Sequence, residues 1–269
     1  MGNKTEKDLY TILFAIVMVV VVGSLLAFTA QYLKPVIAKN KRWEKEQNIL
    51  YAMGVNDNES GSAIFVPTNQ VDDAFKKYIT KQLVLDNQGN VLKIVEGDKV
   101  VKDYSTKVAE NYGTDVYLTD IKKDKAEAGG DPSKRHLPLF IGEKEGSTYY
   151  IVPVYGKGLW DDIWGYISID ENMVVQGVYF DHKGETPGLG ANIKERFFMD
   201  DFKGEHLLGS EGNFKSITVS KSNGDPENND KTDNEVDAIA GATITSNGVT
   251  AMLKSDLALY VPYFQTLKH

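Results

Sequence analysis

The sequence predicts an α+β protein: a single N-terminal transmembrane helix followed by a mostly antiparallel α+β domain. Three observations carry this expectation. Ile12 to Ala30 runs nineteen residues without a charge. Beyond it come several short β-rich runs joined by tight turns, as in neighbouring antiparallel strands. Helical periodicity is scarce, and clearest near the C-terminus.

The elements follow in chain order. As a helix, Ile12 to Ala30 would be about 28 Å long at about 1.5 Å per residue, close to the hydrocarbon thickness of a bilayer. Tyr10 and Tyr32 bracket it where amphipathic rings prefer the headgroup level. A cleaved signal peptide would have a shorter apolar region and a small-residue end, whereas this run ends "LAFTA". Residues 1–34 therefore read as a short tail and anchor, and 35–54 as a charged stalk helix. Val55–Ala63 is a turn-rich loop that lacks most ligand positions of a calcium loop. Residues 55–144 form the first part of the soluble region. Within it Leu83–Val95 reads as a hairpin around Asn-Gln-Gly-Asn, and Lys122–His136 as a solvated loop. Ser147–Gly156, Ile163–Asp170 and Val174–Asp181 read as strands, Ile193–Phe202 as a short helix, Phe214–Lys221 as a strand and Ser222–Glu235 as an acidic loop. Val249, Met252, Leu253, Leu257 and Tyr260 recur on one helical face that ends before Pro262.

Charge narrows the partners. The chain carries 30 basic and 38 acidic residues, a net −8. Seven basic and four acidic residues fall in the first 46, leaving 23 and 34, so the domain stands at −11. Such a surface is repelled by nucleic acid and docks poorly on anionic lipid, which leaves proteins as partners. No cysteine is present, which removes disulfides, thiolate metal sites and cysteine nucleophiles. Two lysines precede the apolar run and five basic residues follow it closely, a balance that favours a cytoplasmic domain by the positive-inside rule.

Three segments depart from what packing alone would write. "YGKGLW" (Tyr155–Trp160) reads either as a hairpin turn with a partly buried Trp or as one wall of a ligand slot, formed by Leu159 and Trp160. It is not a phosphate-binding Walker loop, because no Gly-Lys-Ser/Thr follows four spacers. "HKGETPGLGANI" (His182–Ile193) sets Gly184, Pro187, Gly188 and Gly190 straight after a strand, where glycine lets backbone approach a ligand closely. It lacks the third small residue and the βαβ setting of a dinucleotide fingerprint. In "DAIAGATITSNGV" (Asp237–Val249) Ser246 is expected to cap the final helix, with Thr243 and Thr245 just before it. One hydroxyl suffices for capping and three are supplied. With Gly241 and Ala242 leaving the approach open, the stretch is expected to bind an anion, stabilised by about 0.3–2 kcal/mol at the helix N-terminus.

Together these residues resemble the FMN-binding domain of a bacterial membrane respiratory family. "DAIAGATIT" resembles its flavinylation motif, Asp-x-x-Ser/Thr-Gly-Ala-Thr, in which a separate flavin transferase links FMN to the last Thr through a phosphoester bond. By position that residue is Thr243, with Asp237, Gly241 and Ala242 as the other fixed points and Ala240 as a departure from the usual Ser or Thr. "ETPGLG" (Glu185–Gly190) resembles the family's second hallmark. The resemblance implies a flavin domain over 145–269. Its implied cofactor-binding residues are Leu159, Trp160, Glu185, Thr186, Gly188, Leu189, Gly190, Gly241, Ala242, Thr245 and Ser246. No metal and no catalytic residue are implied. Within the family, the single anchor, the long insert and "GKGLW" look like the C subunit of the Na+-translocating NADH:quinone oxidoreductase. The shorter G subunit of the Rnf electron-transport complex is the alternative in the same class. A flavin-free membrane-anchored scaffold or sensor is the alternative outside it. The resemblance implies an electron carrier, working with other subunits in a complex of the bacterial inner membrane. It places the domain in the periplasm, against the flanking charges, since long domains translocate largely regardless of them.

Overall fold

In the computed structural model the described residues are 4–59, 61–97, 99–103, 115–221, 224–225 and 228–267. They fall into two compact units, Met1–Glu44 and Lys45–His269. The first is built from helix α1 (Lys4–Ala52), which runs on through Pro35 and contributes its last turns to the second unit. Among the described residues one helix is long and apolar enough to cross a membrane, and its most apolar window has a mean hydropathy of 2.8 with none of it buried. Leu9 through Ile37 leave their large apolar side chains exposed, as a lipid-facing surface would.

The second unit is a seven-stranded sheet in the order β3-β2-β1-β4-β5-β6-β7, antiparallel at every pairing. The strands are β1 (Ile79–Leu85), β2 (Val91–Glu96), β3 (Lys99–Asp103), β4 (Leu137–Lys144), β5 (Ser147–Lys157), β6 (Asp162–Ile169) and β7 (Val175–His182). The predicted hairpin is β1–β2, turned by Asp86, whose carboxylate accepts from the backbone of Gln88 and Asn90 at 2.9 Å each. The remaining helices are α2 (Val71–Tyr78), α3 (Ile121–Ala128), α4 (Arg196–Asp201), α5 (Thr243–Leu257) and α6 (Val261–Thr266). A two-stranded parallel pair, β8 (Thr218–Val219) with β9 (Glu235–Val236), stands beside them.

Alternation along the central strands sorts the core into two layers. On one face Gly156 meets Met252 of α5, Tyr150 packs edge-on against Phe264 of α6 at 5.2 Å, and Phe180 packs against Phe198 and Phe202 around α4. On the other, Gly142 leaves room for Met53, Gly177 lies under the Ala52 carbonyl, and Tyr51 packs edge-on against Tyr179. The end of α1 thus covers the face opposite α5.

Several expectations need correction. Lys122–His136 is not a solvated loop. It holds α3 and a short 3-10 turn, with Asp124 and Arg135 buried and paired at 2.5 Å. The strand expected over Phe214–Lys221 shrinks to Thr218–Val219. Pro262 does not end helical structure. It sits in the first turn of α6, where its missing N–H costs nothing. The acidic loop expected over Ser222–Glu235 lies partly outside the described residues.

Helix α5 is seated on the last three residues of β5. A side chain at Gly248 would run into the Lys157 carbonyl, Met252 lies over Gly156, and Asp256 accepts from Tyr155 N at 2.8 Å and from Lys125 Nζ at 2.7 Å. Gly248→Ala is therefore expected to lower the melting temperature. Ala favours the helix by about 0.8–1.0 kcal/mol. Overpacking against backbone that cannot turn aside costs about 1–3 kcal/mol. Thermal unfolding checks this, and an unchanged or raised midpoint would show that α5 can lift off β5.

Away from this contact, Glu205 is wholly buried behind β7, with Lys231 Nζ at 3.5 Å. Burial pushes its carboxyl up to about 7, against the pull of Lys231. A raised folded pKa means the protonated form favours folding. Its contribution to stability is then greatest below about pH 4.5 and is lost as pH rises through about 7. At about 1.4 kcal/mol per unit the loss is at most about 3.5 kcal/mol. Glu205→Gln is expected to flatten this decline in urea titrations run from pH 5 to pH 8, and a decline of undiminished slope would contradict it.

Candidate functional site

Antiparallel order brings two strand ends of the chain to one end of the sheet. β5 passes into β6 through the Gly158–Asp161 turn, closed by Gly158 N donating to Asp161 O at 2.9 Å. β7 ends beside it, where Lys183 N donates to Asp162 O at 2.9 Å, and the chain continues into the Glu185–Gly190 loop. Because α5 is seated on the end of β5, its N-terminus arrives at the same place.

Glu185 ties the three together. It is buried, 4% exposed. Its Oε1 accepts from Trp160 N at 2.9 Å in the turn, and its Oε2 accepts from Thr245 Oγ1 at 2.6 Å in α5. Its own N–H donates to His182 Nδ1 at 3.1 Å, closing the loop back on β7. Burial works against the charge. The donors from Thr245 and from the backbone of Trp160, Asp161 and Leu159 outweigh it and hold the carboxyl below the ordinary range. Two glycines make the space: a Cβ at Gly158 would stand 2.6 Å from Oε1, and one at Gly190 2.6 Å from Oε2. This is the physical reason for glycine in "GKG" and in the last position of "ETPGLG".

Two open clefts meet at the N-terminus of α5. The first, about 220 Å³, is lined by Leu159, Glu185, Thr186, Leu189 and Gly190 on one side and by Gly241 through Thr245 on the other. Trp160 stands at its edge, largely exposed, with Nε1 donating to Thr186 Oγ1 at 3.2 Å. The second, about 160 Å³, is lined by Val219–Lys221, Ala238–Gly241, Thr243, Ser246 and Asn247. The predicted residues Leu159, Glu185, Thr186, Leu189, Gly190, Gly241, Ala242, Thr243 and Thr245 thus border one cleft. Gly188 does not line either, and Ser246 belongs to the second.

The capping expectation is overturned. α5 begins at Thr243, and Ala242 holds the cap position with no side-chain hydrogen bond. Ser246 N already donates to Ala242 O at 2.9 Å, so Ser246 lies inside the first turn, and Thr245 with it. The first backbone N–H groups of the helix therefore have neither an intrahelical acceptor nor a side-chain cap. The three hydroxyls also separate. Thr245 is 1% exposed and Ser246 3%, while Thr243 is exposed. Ile244, an exposed apolar wall of the first cleft, and Lys221, across the second, were not singled out by the sequence. Ile244 carries no signal apart from its place beside Thr243, and Lys221 is brought in by β8.

Comparison with known proteins bears on this geometry. The C subunit of the Na(+)-translocating NADH-quinone reductase of Vibrio anguillarum is 30% identical over 239 residues, covering 88% of this chain and 86% of that protein. The chain belongs to this family of C subunits. Its counterpart in Neisseria meningitidis serogroup A is 26% identical over 276 residues, covering 100% of this chain and 98% of that one. The crystal structure of the C subunit from Parabacteroides distasonis matches with a TM-score of 0.66 at 30% identity, covering 86% of this chain and 96% of that one. Residues 158–258 match the family described as FMN-binding domain. That span opens at the turn bearing Leu159 and closes at the end of α5, so it contains every lining residue of both clefts.

Proposed function

We infer that this chain is the electron-carrying C subunit of a membrane Na+-translocating NADH:quinone oxidoreductase, holding FMN by a phosphoester bond to Thr243. One observation carries the assignment of the attachment residue. Of the three hydroxyls at the start of α5, only that of Thr243 is on an exposed residue, and it stands at an uncapped helix N-terminus where two clefts join. Thr245 is spent on Glu185, and Ser246 is buried.

The residues present suit such a group. Uncapped N–H groups and the helix dipole favour a negative charge beside Thr243. Leu159, Leu189 and Ile244 offer apolar surface to a flat ring, and at about 220 Å³ their cleft is smaller than the roughly 300–1,000 Å³ of pockets that bury most of a small ligand, so one side would face out. Bound flavin supplies one-electron chemistry, while the protein sets its position and electrostatics. An unaided threonine hydroxyl is a poor nucleophile, which accounts for a separate flavin transferase in maturation.

The same reading takes 1–34 as tail and anchor, with Ile12 to Ala30 as the single span. It takes 35–54 as stalk, 55–144 as the first part of the soluble region, and 145–269 as the flavin domain. It places the domain on the periplasmic face of the bacterial inner membrane, among the other subunits of the complex. Tryptic cleavage after Lys231 and Lys254 isolates the peptide Thr232–Lys254. After co-expression with a flavin transferase its mass is expected to carry one FMN. An unmodified peptide would refute the attachment.

A further inference from the structure

Thr243 and Gly241 border both clefts, and the clefts differ in chemistry. The first is walled by Leu159, Leu189 and Ile244 and contains the Glu185 carboxylate. The second holds Lys221, the one cation among the described residues lining either cleft. On α5, Thr243, Ser246 and Asn247 stand at i, i+3 and i+4, so they share one face. That face lines the second cleft, while Thr245 turns away to Glu185. Ser246 is 3% exposed, and its Oγ has no hydrogen-bond partner among the described residues. A buried hydroxyl left so is uncommon and points to a missing acceptor. The opposite wall is fixed in place: Val219 N donates to Thr250 Oγ1 of α5 at 2.9 Å, and Ser220 N to Val236 O of β9 at 2.7 Å. Lys221 follows directly.

We propose that the two clefts divide the tethered flavin between them. The second takes its phosphate, with the Ser246 hydroxyl donating to a phosphate oxygen and the Lys221 ammonium balancing the charge, and the first takes the ring. The division rests on attachment at Thr243. The reverse arrangement would set a phosphate against an ionised Glu185 and leave the Ser246 hydroxyl without an acceptor.

Phosphorus NMR of the flavinylated chain tests the division without reference to turnover. Lys221→Met and Ser246→Ala are each expected to move the phosphodiester resonance by more than its linewidth and to leave the visible flavin absorption in place. Leu189→Ala is expected to change flavin fluorescence and leave the phosphorus resonance where it was. A resonance unmoved in Lys221→Met overturns the division, and because Lys221 is exposed this variant is expected to fold as the wild type does. A chain with no phosphodiester signal on the Thr243 peptide would refute the attachment itself, which is a different result from an unmoved resonance.

Discussion

Thr243→Ala is expected to abolish the flavin that stays with the chain after denaturation, with the fold intact. Thr243 is exposed in the first position of α5, so the substitution removes a hydroxyl that supports no packing. The contrast is Thr245→Val. It keeps the attachment hydroxyl but takes from Glu185 its hydrogen bond at 2.6 Å. A hydrogen bond to a charged group contributes about 1.5–3 kcal/mol, so this variant is expected to melt earlier while remaining yellow. In-gel fluorescence of the denatured chains, read beside melting curves, separates the two. Flavin retained in Thr243→Ala would move the attachment to another residue.

Glu185→Ala is expected to have the largest effect on stability. It strands the Thr245 hydroxyl and the backbone N–H groups of Trp160 and Asp161, all of which donate to the carboxylate. Breaking a buried charged network in this way costs about 3–5 kcal/mol. Glu185→Gln keeps an acceptor and is expected to lose less. The carboxyl is held below its ordinary value, so its contribution is complete above about pH 4.5 and is lost as pH falls through the depressed folded value. Denaturant titrations at pH 7 and pH 4 measure both effects. Wild type and Glu185→Ala converging in stability as pH falls is the expected pattern. A gap of constant size would show that packing, not charge, carries the difference.

The sequence was most legible where local and tertiary preferences agree. Ser147–Lys157, Asp162–Ile169 and Val175–His182 lie within a residue or so of their expected spans, because alternation, β-branched residues and tight turns coincide there. Helix α3 was hidden for the opposite reason. Its buried positions are Asp124 and Ala128, so no apolar stripe announces it, and the helix is held by ion pairs to Arg135, just beyond it, and to Asp256, far along the chain. β3 shows five exposed residues, three of them charged, and is defined only by its partner β2. β4 begins with Leu-Pro-Leu, and its backbone pairing with β1 and β5 overrides what the proline suggests locally.

At the site, the glycines and the order of the motifs were readable, but the helix boundary was not. Three hydroxyl residues within four positions look like alternative caps, and only the register of α5 on β5 decides which lies inside the helix. That register also separates Thr243 from Thr245 and Ser246. It turns Thr245 towards a carboxylate sixty positions earlier in the chain and leaves Ser246 facing Lys221 across a gap. Spacing along the sequence contains neither relation.

The seat of α5 on Tyr155, Gly156 and Lys157 sets the mechanics of anything joined to its first residue. A glycine packed against a carbonyl, a methionine over a glycine and an aspartate on a backbone N–H leave the helix no room to slide or roll. A pendant group on Thr243 is therefore held at a stationary point of attachment. Its reach is bounded by the torsions of its own short link, and a neighbouring protein must come within that radius to meet it.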